Sequence, residues 1–525
     1  MSIFVVQICM QSYLIKEMQE GVFRYKPAHT SESEKEIHKI ERKYTIMKGK
    51  LLYYVTLTLL SLPLFAMNIG QLHATTPSLR ETEESISFDL GGEATTIILI
   101  ISAKGKVTGE GVEGEIEANG GFVFLNVKNT HVVLHGKITE FQCSTNEITA
   151  LDVSKAPSLK LLECSGNPIG TLDLSANKAL EVLRCNKCTL KELVPPTTLK
   201  ELSCEDNAIT ELDVSALTSL NELKISRNKI STLNLTACTD LKKLYCSDNK
   251  LSELDITKNK NIVFINCYRN TINGIDVRQC ADLETLYCGY NSFNTLDVTQ
   301  NKKLLFLWCP SLHLTSLDVS QNTALEHLLF FLNDLSQIDI SKNPALKELD
   351  CSENKLTTLD VSNNPELTEI GCNGNFIDLQ QMEAFIKSMP NRQGKEKGNL
   401  YVIDSKNPKE KNHCSTTNVK AAKAKNWVVW DYNGNYATSR PYEGETANQS
   451  VAALHVRISP NPASGYVYIS GSKPNASIYL YSMEGTLIQT THTDANGAAE
   501  INLSGVSKGN YLLKSDGMSE ILIVE

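Results

Sequence analysis

Leu346 to Leu367 reads LKELDCSENKLTTLDVSNNPEL. Leu349 and Cys351 alternate with Glu348, Asp350 and Ser352, the pattern of a short strand with one face on a core. Asn354 and Leu356 follow, then Leu359-Asp360-Val361-Ser362 and Leu367. The unit recurs along the chain. Its cysteine position is filled at 143, 164, 185, 204, 246, 267, 288, 309, 351 and 372, with gaps of 21, 21, 19, 42, 21, 21, 21, 42 and 21. Ile225 and Phe330 sit at the midpoints of the two long gaps, so there are twelve rungs, one of them shortened near Pro195-Pro196. A second column, three residues on, holds asparagine at 146, 167, 207, 228, 249, 270, 291, 333, 354 and 375, with Cys188 and Leu312 as exceptions. No such unit has a core alone. Stacking creates it, and the fold is a β-rich solenoid.

The pattern L-x-x-L-x-C-x-x-N-x-L resembles the leucine-rich repeat. The 21-residue period with cysteine at the last buried strand position is similar to the cysteine-ladder branch of bacterial internalins, the internalin J type. That resemblance implies an exported, adhesin-like protein that binds a host or bacterial surface protein or glycan.

Three columns carry polar or reactive groups. The asparagines turn the chain and reach backbone of neighbouring rungs. The cysteines are read as buried, reduced thiols, because like positions in a parallel stack point the same way and are poorly aimed for a disulfide. Cys238 and Cys280 share another column but lie two rungs, about 10 Å, apart. Asp152, Asp173, Asp213, Asp255, Asp276, Asp297, Asp318, Asp339 and Asp360 form a third column. Its context, L-D-V-S/T, lacks the glycines of a calcium loop, so these carboxylates are expected to accept from local backbone N–H groups. No metal site and no cofactor is expected.

The outward strand positions are uneven. Rungs six to ten carry Tyr245, Phe264, Tyr268, Tyr287, Tyr290, Phe306, Trp308 and Phe331 on a face that should meet water, and the remaining rungs carry no aromatic there. Five rungs cover about 20 Å. A contiguous apolar patch marks an interaction site, and aromatics dominate hot spots. These eight residues are the candidate partner-binding site. Packing among themselves and a homodimer contact are the alternatives. Asp206, Arg227, Asp248 and Arg269 alternate in charge on successive rungs and read as inter-rung pairs.

The ends divide as follows. Residues 1–46 read as an extension ahead of a start at Met47, and 47–74 as a signal peptide built on Leu51 to Ala66, LLYYVTLTLLSLPLFA. Residues 75–140 form a β cap with strands at Ser85–Leu90, Thr95–Ser102, Phe122–Val127 and Val132–Leu134, and 141–378 the repeats. In a mixed C-terminal cap, 379–437, a helix over Leu379–Met389 precedes closing strands at Leu400–Ile403 and Asn426–Tyr432. Residues 438–453 are a linker. From 454 to 525, short strands with glycine turns suggest an immunoglobulin-like β-sandwich. Ile458-Ser-Pro-Asn-Pro-Ala463, IYLYSMEGTLIQ and the Gly509-Asn510-Tyr511 turn resemble the C-terminal sorting domain of type IX secretion. The very end, SEILIVE, departs from that family by finishing on Glu525 rather than a basic residue. The resemblance implies handling by the type IX machinery, lipopolysaccharide attachment, and a place at the outer membrane surface or outside the cell.

The net charge of −9 and the lack of a basic block give a nucleic-acid partner no electrostatic basis. HExxH, GxSxG, P-loop and GxGxxG patterns are all missing. Of ten histidines only His327 falls on the ladder face. The sequence therefore reads as a binding protein and not an enzyme, with self-association in cell–cell or biofilm contacts as the second reading.

Overall fold

The computed structural model describes residues 83–92, 95–445 and 457–525, with short breaks at 460, 471–473, 484, 496 and 516–517. The extension 1–46, the signal peptide 47–74 and the linker from 446 onward lie outside the described residues.

The cap opens with β1 (Ser85–Leu90), whose Ile86, Phe88 and Leu90 point inward. It then builds β2 (Thr96–Glu110), β3 (Val112–Glu113), β4 (Asn119–Val127), β5 (His131–Gln142) and β6 (Ile148–Asp152). These pair antiparallel, and Phe88 meets Phe141 at 6.0 Å. The β2 and β5 strands outrun the sequence expectation. Alternation fails at Lys104-Gly105-Lys106, but register shifts between Ser102 and Ala103 and between Lys104 and Thr108 carry the pairing past it.

The last residues of β5, Glu140 to Gln142, pair in parallel with β7 (Leu161–Glu163). The cap strand is thus itself the first rung. From β7 to β17 (Glu369–Gly371), eleven three-residue strands stack in register, as in Glu348↔Glu369, Leu349↔Ile370 and Asp350↔Gly371. The leucine or isoleucine at the centre of each strand, and the cysteine, Ile225 or Phe330 two residues on, are fully buried. The ladder does not stop there. The expected closing strands, β18 (Gly398–Ile403) and β19 (Trp427–Asp431), pair in parallel with β17 and with each other, so they extend the sheet by two strands.

Asparagine clamps the rungs together. Asn333 Oδ1 accepts from the N–H groups of Leu312 and Leu314, both at 3.0 Å, while Nδ2 donates to the carbonyls of Cys309 (3.0 Å) and Phe330 (2.8 Å). The residue before each such asparagine has positive φ. Asp206, Arg227, Asp248, Arg269 and Tyr290 lie between 52° and 55°, and Gly166 and Gly374 fill the same place. A non-glycine residue there is costly. The bonds around it offset the cost, as where Arg227 N–H donates to Ser247 O at 2.9 Å.

The aspartate column behaves as expected. Asp297 Oδ1 accepts from Thr299 N–H (3.0 Å) and hydroxyl (2.7 Å), and these bonds hold its carboxyl below the usual range. Among the described residues no group of three or more histidine, cysteine or acidic side chains is arranged to hold a metal.

The fourteen described cysteines are buried and unbridged. Burial pushes the thiols of Cys204 and Cys267 up to about 12. A water-soluble thiol reagent is therefore expected to leave the folded protein unmodified at pH 8 and to label all of these thiols in denaturant. Rapid labelling of the native state would contradict the buried ladder.

In the C-terminal cap, Asp378 accepts from Gln381 N–H at the start of α1 (Leu379–Ser388), which buries Met382, Phe385 and Ile386. A second helix, α2 (Thr416–Ala424), is not legible in TTNVKAAKA. It is held by a capping box between Ser415 and Asn418 and by burial of Val419 and Ala422. Arg392 closes the stack end, donating to Leu367 O at 2.8 Å.

The tail forms two antiparallel sheets of three and four strands around a shared core that includes Val467, Ile469, Leu480, Ile501, Leu513 and Leu522. The expected immunoglobulin-like arrangement goes further than these two sheets support.

Candidate functional site

Strand alternation puts Tyr245, Phe264, Tyr287, Phe306 and Trp308 on the face opposite the leucine core. Rungs lie only about 4.8 Å apart, so large rings on successive strands must lean on one another. Tyr245 stacks on Phe264 at 4.4 Å, Phe264 meets Tyr287 at 5.9 Å, and Tyr287 stacks on Phe306 at 4.9 Å. Trp308 joins from beside, 5.5 Å from Tyr287, 4.6 Å from Tyr268 and 6.4 Å from Phe331. Tyr290 reaches Tyr268 at 5.2 Å. All eight sequence-identified residues therefore belong to one connected set of rings.

Their exposure differs from the sequence reading. Tyr268 is buried, at 4%, and the other seven are half-buried. The strand ends at Asn266, and Tyr268 enters the turn whose next residue, Arg269, has positive φ. Alternation no longer applies there, and the ring is covered by Trp308 and Tyr290. Tyr268 is thus a support beneath the surface. Burial also pushes the phenols of Tyr245 and Tyr287 up to about 12, so both stay protonated and can donate.

Sequence reasoning missed the rims. Arg269 lies over the Tyr268 and Tyr290 rings at 5.2 and 5.8 Å, and Lys224 is 5.4 Å from the centre of Tyr245. His327 extends the stack, 5.1 Å from Phe306, and its Nδ1 is 2.8 Å from Glu348 Oε2. The expected charge pairs form: Arg227 donates to Asp206 at 2.7 Å, and Arg269 is 3.8 Å from Asp248.

Beyond His327 the face turns acidic, with Glu348, Asp350 and Glu369. Asp350 is buried, and desolvation pushes its carboxyl up to about 6. A carboxyl raised in the folded state binds its proton more tightly there than in the unfolded chain. Stability therefore falls as pH rises from about 4 to about 6 and stays lower above that. Asp350→Asn is expected to stabilise the protein by about 1–3 kcal/mol at pH 7.5, with no gain below pH 4. Urea unfolding at the two pH values checks this, and an unchanged midpoint at pH 7.5 would contradict it.

The ends of the chain supply the other half of the picture. Residues 457–523 match the family described as Secretion system C-terminal sorting domain. The chain is accordingly an exported leucine-rich-repeat protein, cell-surface or secreted, carrying a tail for handling by the type IX secretion machinery. Among solved structures it is similar to the functional domain of InlJ from Listeria monocytogenes, which includes a cysteine ladder. The identity is 23%, over 74% of this chain and 81% of that one, with a TM-score of 0.49. It is also similar to the internalin InlF of the same organism, at 18% identity over 55% of this chain and 86% of that one, with a TM-score of 0.41. A leucine-rich-repeat protein of Leptospira interrogans matches at 22% identity over 52% and 73%, with a TM-score of 0.43. No curated protein sequence matches the chain. Nothing in the described site points to catalysis.

Proposed function

We propose that this protein acts outside the cell as an adhesin-like binder, gripping a protein or glycan on a host or bacterial surface with the aromatic ladder face. The observation that carries this reading is that, within the repeats, stacked and half-exposed rings are confined to five consecutive rungs. Lateral packing alone would account for the contacts between rings. It gives no reason for the rings to cluster on one stretch of the repeats when the rungs on either side present charged, polar or aliphatic side chains there. Tyrosine and tryptophan offer large, rigid area with a polar tip, which suits both a protein epitope and the faces of sugar rings. In this reading the sorting tail is removed after transport and the body is attached to surface lipopolysaccharide.

Sedimentation velocity across a hundredfold concentration range tests the binder reading against a self-associating structural role. A binder stays monomeric until partner is added. A concentration-dependent oligomer that disappears in Tyr287→Ser/Trp308→Ser would assign the rings to self-association and overturn the proposal.

A further inference from the structure

Two arginines in the strand-end turns begin alike and end differently. Arg227 and Arg269 occupy one column two rungs apart, and each stands one rung beyond an aspartate, Asp206 or Asp248. Arg227 meets Asp206 with two hydrogen bonds, Nε to Oδ1 and Nη2 to Oδ2, the second at 2.7 Å. Arg269 does not repeat this. Its Nη1 stays 3.8 Å from Asp248 Oδ1, beyond hydrogen-bond reach. The guanidinium lies instead over the rings of Tyr268 and Tyr290, its carbon 5.2 and 5.8 Å from their centres. The cause is local. Arg227 follows Ser226 and has Asp248 next in its column, whereas Arg269 follows Tyr268 and has Tyr290 next in its column. A guanidinium beside two rings stacks on them.

Two further donors sit around the same buried ring. Trp308 lies 4.6 Å from Tyr268, and Tyr290 meets it edge-on at 5.2 Å. The other two tryptophans of the chain both donate their indole N–H, Trp427 to Pro390 O at 2.9 Å and Trp430 to Asn399 Oδ1 at 3.0 Å. Among the described residues, no acceptor stands within hydrogen-bond distance of the Trp308 indole N–H, the Arg269 guanidinium or the Tyr290 hydroxyl, and none of these groups is sealed from solvent. Indole and guanidinium donate and cannot accept. Their match is a group that only accepts. A carboxylate is such a group, and it suits a guanidinium already held against two rings. The surrounding rings narrow what carries that carboxylate. Phe264 is covered by Tyr245 at 4.4 Å and by Tyr287 at 5.9 Å, and Tyr287 also by Phe306 at 4.9 Å. A sugar stacks on an open ring face, and these faces are taken. Protein side chains pack against the ring edges that remain.

We propose that Arg269, Tyr290 and Trp308 form an anion-receiving subsite on the aromatic face, and that it takes the carboxylate of a glutamate or aspartate side chain presented by a protein partner. This rests on the binder reading above and narrows it from a protein or glycan to an acidic protein segment. Arg269 is the residue that sets the specificity, and the rings supply the apolar area around it.

The test is calorimetric titration of the full chain with the peptide acetyl-Phe-Gly-Glu-Gly-Phe-amide, with its glutamine counterpart, which has the same shape and no charge, and with sodium glucuronate. The glutamate peptide is expected to bind, more weakly as salt rises, and the glutamine peptide at least tenfold less tightly. Arg269→Gln is expected to lower glutamate-peptide affinity at least tenfold and to bring the two peptides level. Arg227→Gln, on the guanidinium already engaged with Asp206, should leave it unchanged. No binding at millimolar peptide, equal binding of the two peptides, wild-type affinity in Arg269→Gln, or glucuronate held more tightly than the glutamate peptide would each overturn the proposal. The binder reading fails separately. A surface partner lost by Tyr287→Ser/Trp308→Ser and held at wild-type strength by Arg269→Gln would overturn the subsite and leave the aromatic face standing.

Discussion

Asn333→Ala is expected to destabilise the protein by about 3–6 kcal/mol, more than most truncations of a single core leucine. The side chain satisfies two buried N–H groups of the preceding rung and two buried carbonyls, one from each rung. Alanine leaves all four without partners. Each orphaned group costs about 1–3 kcal/mol, less whatever water recovers. The damage also falls at a joint, because stability in a solenoid is a sum over rungs and their interfaces. Urea unfolding should show a lower midpoint and a broadened or split transition. Asn261→Ala removes one exposed bond to Thr239 O and is expected to change stability by no more than about 0.5 kcal/mol. Equal midpoints for the two variants would show that the asparagine column is not the clamp.

The second large effect concerns binding. Tyr287→Ser/Trp308→Ser is expected to lower partner affinity by about a thousandfold. That corresponds to two hot-spot losses of about 2 kcal/mol each. Tyr287 touches Phe264, Phe306 and Trp308, so the pair lies at the centre of the ring network. The fold should survive. Leu286 and Leu307 remain in the core below, and the parallel strand pairing involves backbone only. Ring packing is worth about 0.5–1.5 kcal/mol per pair, so a measurable drop in melting temperature is expected alongside the loss of binding. A variant that binds as wild type would remove these two residues from the site.

The repeat was legible because each column repeats one physical demand: a buried leucine, a small buried thiol, an amide that bridges rungs. Twelve copies of that demand leave little room for another fold. What escaped the sequence lies where no copy exists. Tyr401 and Trp430 stand in the same column as Asp350, yet α1 and α2 interrupt the period before them, and nothing in the spacing links Tyr401 to Gly371. Helix α2 has too few apolar residues for a helical stripe and depends on its cap and on contact with α1 and β19. Tyr268 lies buried, not outward, for a local reason. Period-two alternation holds only inside a strand, and each of these strands is three residues long, ending in a turn of positive φ. The aromatic stretch itself was found from the columns, but its rings lie against one another more than simple outward projection suggests.

The most direct test of the central claim is binding of the full exported chain to an array of host proteins, glycans and bacterial surfaces, with Tyr287→Ser/Trp308→Ser measured in parallel. A partner held by the wild type and lost by the double variant, while that variant remains folded, is expected. A partner bound equally by both would contradict the claim that the aromatic face is the binding site, and no partner anywhere would contradict the claim that the protein works as an adhesin.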